Sequence, residues 1–290
     1  MKMKNTNVNR RAFVKTAGIS SLGVAGASWL GGRTGILEAL PGAKSLGLGP
    51  AAVQAAEITD VDILNFALNL EYLEAEFYTV ATTGRTIEET GIATGGTGTP
   101  GPTTGGKQVT FEADGQQAES SGKLRAVAEE LAFDEQHHVQ LLRTALGSAA
   151  VAKPAINLDA LGIGFDNFKQ FLALARAFED VGVSAYGGAA PLISDKTILA
   201  TAARIALTEA LHSGNIRLLV AENSIQAPDV DKLDVLPPPT GKKFFTVDDN
   251  ALAIVRVPSQ VLHIVYGNWE QGVSSGGFFP MGLNGTITRG

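Results

Sequence analysis

Six residues have types and spacings that suit metal chemistry: Glu71, Glu135, His138, Glu179, Glu209 and His212. Glu135 and His138 form one Glu-x-x-His, and Glu209 and His212 form a second. Positions i and i+3 share a helix face, so within each motif the carboxylate and the imidazole point the same way. The chain order is Glu, Glu-x-x-His, Glu, Glu-x-x-His. Four helices presenting these residues to one another would gather four carboxylates and two imidazoles around one point. Carboxylates so close force one another neutral unless cations intervene. Two divalent cations would remove the conflict, and oxygen with imidazole donors suits iron or manganese.

The neighbours of these six carry weaker signals. Glu74 lies one turn from Glu71 and is a further candidate to touch the cluster, although Gly182 holds the equivalent place beside Glu179. Tyr78 and Tyr186 each follow a lone glutamate by seven residues. Each phenol either hydrogen-bonds a ligand carboxylate or packs with its hydroxyl in water. Glu76 lies off that face and is expected to be solvated. His137 sits about 100° around the helix from His138, on the surface or just behind the site. Asp134-x-x-His137 is a rival register with no twin in the second half. Arg143 and Arg217, five residues past each histidine, are expected at the surface; the other reading pairs them with acids at the bundle end. His263 lies outside the repeat and reads as structural.

Four segments with helical apolar spacing must position these groups. The first starts at Thr59, an N-cap followed by Asp60 and Asp62, and runs to about Thr82. The second covers about 120–147, with Ser120 or Ser121 as cap and Gly147 as stop. The third covers about 166–189. The fourth covers about 194–223, with Ser194 as cap and Asp195 just inside. Glu71 and Glu135 are 64 residues apart, whereas Glu179 and Glu209 are 30 apart. The surplus of 34 falls in residues 84–119, rich in Gly and Thr, which read as an inserted loop. The expected fold is all-α: a four-helix bundle built from a duplicated helix hairpin, with bundle residues 56–225 and an extension at 226–290.

In that extension Pro237-Pro238-Pro239 marks a boundary. Phe244 to Val247 could form a short strand, 248–256 a helix or a loop, and Pro258 to Tyr266 a short helix. Gly276-Gly277-Phe278-Phe279-Pro280 places two adjacent aromatic side chains in a flexible frame. Exposed, they would form an apolar patch, so they are expected to dock on the bundle or a subunit interface.

The chain has no Cys, which excludes disulfides, thiolate zinc sites, iron–sulfur clusters and cysteine nucleophiles. Residues 1–55 carry seven Lys/Arg and one acid, and the remainder carries 16 Lys/Arg and 28 Asp/Glu, a net charge near −12. An acidic body without a basic stripe argues against a nucleic-acid partner. The opening stretch is basic, then mildly apolar from Thr16 to Leu30, which is too short and weak for a membrane span. It has the form of a signal peptide, with Val53-Gln54-Ala55 as a cleavage site. Arg10-Arg11 with Phe13 and Lys15 resembles the twin-arginine type, which implies export after folding to the periplasm or beyond.

From 57 to the end, the chain resembles bacterial ferritin-like domain proteins related to the plant desiccation-related proteins. The residues that carry this are Leu68 to Tyr78 (LNLEYLEAEFY), Phe178 to Tyr186 (FEDVGVSAY) and the Gly-Gly-Phe-Phe-Pro tail. The resemblance implies the ferritin-like bundle and Glu71, Glu135, His138, Glu179, Glu209 and His212 as ligands of two iron or manganese ions. The insertion and the long tail set the chain apart from cage-forming ferritins. Two functions are expected. One is a di-metal oxidase, ferroxidase or catalase-like protein acting on dioxygen or peroxide. The other is a non-enzymatic metal-binding or desiccation-stress protein. A homo-oligomer is compatible with either.

Overall fold

The computed structural model describes residues 58–112 and 118–290. The expected signal peptide over 1–55 and its cleavage site lie outside the described residues. The main elements are α1 (Asp60–Thr83), α2 (Ala118–Leu146), α3 (Phe168–Ala189), α4 (Lys196–Glu222) and α5 (Pro258–Tyr266), with short strands β1 (Thr103–Thr104) and β2 (Ile156–Asn157). Helix α1 packs along α2 and α3 along α4, so two hairpins form the four-helix bundle, and α1 meets α3 between them. Among the described residues no helix is long and apolar enough to cross a membrane.

The helix ends follow local rules. Thr59 caps α1 through a reciprocal box: its hydroxyl accepts from the Asp62 amide, and Asp62 accepts from the Thr59 amide. Gly84, left-handed at φ 71°, ends that helix. Asn167 caps α3 by accepting from the Lys169 and Gln170 amides. Asp195, not Ser194, caps α4 by accepting from Thr197 and Ile198. The Ser194 and Asp195 amides donate instead to the Asp60 carboxylate, tying the start of α4 to the start of α1. Helix α2 begins at Ala118, two residues before the expected start.

The insertion after α1 contains little regular structure, but it is pinned. Strand β1 pairs in parallel with β2 of the α2–α3 connection, Thr103 opposite Ile156 and Thr104 opposite Asn157. Its apolar residues Ile87, Val109 and Phe111 are buried in the main core. Glu76 anchors it. Expected to be solvated, Glu76 is fully buried: it accepts from the Ile87 amide at 3.1 Å and the Thr103 hydroxyl at 2.7 Å, and pairs with Lys153 at 3.2 Å. Lys153 comes from the α2–α3 connection, so one buried ion pair joins helix, insertion and connection.

The C-terminal extension wraps the bundle. Arg217 is buried, contrary to the surface expectation. It pairs with Asp180 at 2.5 Å and donates to the carbonyls of Val235, Lys243 and Phe244. Arg143 is half-buried and donates to the Tyr72 phenol, so it is not free at the surface, and among the described residues it pairs with no acid. Residues 248–256 form no helix, and the Phe244–Val247 strand is reduced to one antiparallel bridge between Val247 and Ala253. The Pro258 to Tyr266 helix forms as expected and packs on α3. Phe278 and Phe279 are buried, with the Phe278 ring 5.2 Å from that of Phe178 on α3. Asn284 exchanges hydrogen bonds with Asn69 on α1 and also donates to the Thr99 and Ala152 carbonyls.

A docked tail should therefore carry stability. Phe279→Ala, at a fully buried position, is expected to cost about 3–5 kcal/mol in denaturant unfolding. An unchanged midpoint would show that the tail's contacts are energetically idle.

Candidate metal centre

The glutamates of α1 and α3 point inward at mid-helix, and α2 and α4 each add a Glu-x-x-His turn. Glu71, Glu135, Glu179 and Glu209 are at most 1% exposed, and His138 and His212 are buried. The structure thus brings together all six residues singled out in the sequence. They fall into two groups of four: Glu71, Glu135, His138 and Glu209, and Glu135, Glu179, Glu209 and His212. Within each group one donor atom per residue lies within 4.8 Å of the others. Glu135 and Glu209 belong to both groups, whereas each half keeps one private glutamate and one private histidine.

Both imidazoles turn Nδ1 to the centre. His138 Nδ1 lies 3.0 Å from Glu135 Oε2, 3.3 Å from Glu71 Oε2 and 3.4 Å from Glu209 Oε1. His212 Nδ1 lies 3.1 Å from Glu135 Oε1 and 3.3 Å from Glu179 Oε2. Glu135 therefore spans the two histidines with its two oxygens. The ring centroids of His138 and His212 are 6.4 Å apart.

A surrounding layer of polar groups holds the cluster. The Tyr78 phenol donates to Glu179 Oε1, and the Tyr186 phenol donates to Glu71 Oε1. Each tyrosine thus supports the glutamate of the opposite half, which settles the open choice in favour of a hydrogen bond. Asp134 lies 3.0 Å from His212 Nε2. The rival Asp134-x-x-His137 register fails, because His137 is exposed, with its own Nδ1 2.7 Å from the Phe133 carbonyl. Asp134's role was legible only in principle: an imidazole that offers one nitrogen to a site usually gives the other to a carboxylate or carbonyl. Glu74 is buried beside the cluster but belongs to neither group of four. His263, as expected, lies outside the bundle site, stacked on Trp269 at 5.5 Å.

Burial sets the electrostatics. It pushes Glu135 up to about 7, with the nearby Glu71 charge adding to the effect. Burial and the neighbouring Glu135 push Glu209 well above the carboxylate range, and burial with Glu209 and Glu135 does the same to Glu74. Burial also opposes charge on the imidazoles, but the carboxylates outweigh it. Glu71 and Glu135 hold His138 protonated far beyond its usual range, and Glu135 with Glu179 pushes His212 up to about 12. Glu71 itself is lowered: burial would raise it, but the charge on His138 prevails. Without cations, the centre is a store of protons.

A four-helix bundle enclosing a buried carboxylate–histidine cluster defines a class of protein, one whose centre is compatible with a metal site. Residues 59–222 match the family model described as Ferritin-like domain, and the chain belongs to that family. A comparison with curated proteins gave no match.

The proton store has a consequence for stability. Glu135, raised from 4.5 to about 7, stabilises the fold fully below 4.5 and loses that contribution as pH rises towards 7. His212, raised from 6.5 to about 12, stabilises below 6.5 and loses its contribution as pH rises towards 12. Glu71 has the opposite sign, but its contribution is lost only as pH falls through its lowered value. The thermal midpoint of metal-free protein should therefore fall between pH about 5 and about 8. Calorimetry showing a midpoint that rises across this interval would contradict the assignment of a proton-loaded centre.

Proposed function

We propose that this chain is an exported ferritin-like protein that holds two iron or manganese ions and works as an oxidoreductase on dioxygen or peroxide. The observation that carries this is where hydrogen bonding is left incomplete. Among the described residues, the buried side-chain atoms with no hydrogen-bond partner are Glu71 Oε2, Glu135 Oε1, Glu179 Oε2, both carboxylate oxygens of Glu209, His212 Nδ1 and Arg176 Nε. All except Arg176 Nε belong to the six-residue cluster. Native proteins leave few such atoms, and a group of them at one point calls for an ion.

The donor set fits two such ions. Glu135 and Glu209, common to both groups, would serve both ions. Glu71 with His138 would complete one ligand set, and Glu179 with His212 the other. Iron or manganese held there would supply one-electron redox chemistry and Lewis acidity towards an oxygen ligand. The chain's own residues do the rest. Tyr78 and Tyr186 fix the outer oxygens of Glu179 and Glu71, which leaves the inner oxygens free to face the centre. Asp134 holds the His212 ring in position. The protons on Glu135, Glu209 and the two imidazoles leave as cations enter, so binding should release protons and strengthen as pH rises. The twin-arginine resemblance supports the exported part of this reading.

The test is elemental analysis of protein purified by its native export route, beside a Glu135→Ala/His212→Ala variant. Two iron or manganese per chain are expected, and the variant should lose them while staying helical by circular dichroism. Peroxide or dioxygen consumption that depends on those ions would complete the case. Bound metal without turnover would leave a metal-binding stress protein, and no metal in a folded wild type would end the metal reading.

A further inference from the structure

The two hairpins repeat one pattern, and the repeat breaks at one point beside the cluster. Glu74 follows Glu71 by three residues, but its counterpart after Glu179 is Gly182. A Cβ built on Gly182 would lie 2.5 Å from Glu209 Oε2 and 3.3 Å from Glu74 Oε1. Glycine inside a helix is destabilising relative to alanine, and here it leaves room for both carboxyl groups. Two cavities open along the α1–α3 seam. The larger, about 170 Å³, runs from Leu161 and Trp269, both exposed, past Ala177 to Glu74 and Gly182. The smaller, about 30 Å³, shares Leu70, Glu74 and Gly182 with it and continues to Glu71 and Tyr186. The two cavities are thus neighbours along the seam, the larger lined by exposed residues and the smaller by Glu71 of the cluster.

The wall chemistry defines an occupant. Most of the larger cavity is lined by Leu, Val, Ala, Phe and Trp side chains, and its deep polar group is Glu74. A cavity of about 150 Å³ lined by such residues takes benzene, so this one has room for a monocyclic molecule. Asp229, which is exposed, and the half-buried His263 also line the cavity; against the remaining apolar walls a charged ligand would lose hydration that few polar groups replace. We propose that the α1–α3 cavity is the substrate pocket of the centre, and that it takes a neutral, mainly hydrocarbon molecule of monocyclic size with one hydrogen-bonding group directed at Glu74. This deepens the di-metal reading of the preceding section and rests on it. Glu74 acts as a positioning residue for the occupant's polar end.

The test is calorimetric titration of metal-loaded protein with benzyl alcohol, a neutral monocyclic probe with one hydroxyl, and with benzoate, its charged counterpart. Benzyl alcohol should bind, and benzoate should bind about tenfold more weakly or not at all. Ala177→Phe, which fills the cavity from α3, should weaken benzyl alcohol about tenfold while metal content stays unchanged. Should that variant fail to fold, Trp269→Ala at the exposed mouth and Glu74→Gln at the inner end decide, each expected to weaken the probe about threefold. Glu74→Gln should leave toluene binding unchanged, a separation that a purely structural role would not produce. Absence of benzyl alcohol binding, or equal affinity in wild type and the folded variants, overturns the pocket whatever the metal content. If wild type binds no metal yet shows the expected probe pattern, the metal reading fails and the substrate role with it, and the cavity stands only as a binding pocket for neutral ligands.

Discussion

The constraint on which this structure depends is the concentration of four carboxyl groups and two imidazoles in a water-excluded place. Among the described residues outside the centre and the adjacent Glu74, buried acids are answered by fixed partners of opposite sign. Asp180 has Arg217 and Arg176, Asp234 has Arg176, Asp231 has Arg256, and Glu76 has Lys153. At the bundle centre no lysine or arginine is supplied among the described residues, and the two histidines are outnumbered by carboxylates. Burial of charge is tolerated only when compensated, so the centre relies on protons or on mobile cations. Both are exchangeable, which is the physical difference between a structural ion network and a site that can take a ligand.

The rest of the molecule keeps those six side chains in place. The private glutamates sit on α1 and α3, which the insertion and the tail bury from outside. Tyrosines that cross between halves couple the hairpins, so neither half can shift without disturbing the other's glutamate. The ion networks lie directly behind the cluster. Asp180 follows Glu179 in sequence, and its partner Ser213 follows His212. Arg217, one turn further along α4, then holds three carbonyls of the tail. The long extension is thereby bonded directly to the helix that carries Glu209 and His212, and through the Arg217–Asp180 pair to the helix that carries Glu179.

The bundle and its six central residues were legible in the sequence because both depend on short-range spacing. Glu-x-x-His declares a common face by itself, and the duplication shows which of two registers to believe. What the sequence concealed depends on partners far along the chain. Glu76 reads as a solvated acid until Lys153 and the insertion cover it, and Arg217 reads as a surface charge until the tail returns over it. Asp134 reads as half of a rival motif, yet its partner is His212 on another helix. The helix starts were off by a residue or two where two capping residues stood side by side, as with Ser194 and Asp195. The crossing of the tyrosines has no local signature, since a spacing of seven fits a bond within the half as well as one across it.

The duplication also explains why one departure from symmetry carries weight. Two equivalent hairpins give two equivalent ligand sets, and a cluster built in this way has no preferred side. Asp134 and Glu74 each remove that equivalence, because Thr208 and Gly182 hold the matching positions in the second half. Asp134 acts across the α2–α4 side, where it meets His212 Nε2. Glu74 acts on the α1–α3 side, where Gly182 leaves backbone in place of a side chain. The first tightens its flank with a hydrogen bond, and the second lines the cavities that open along its own. A repeated fold thus supplies the charge balance of the centre, while its two unrepeated acids distinguish one flank from the other.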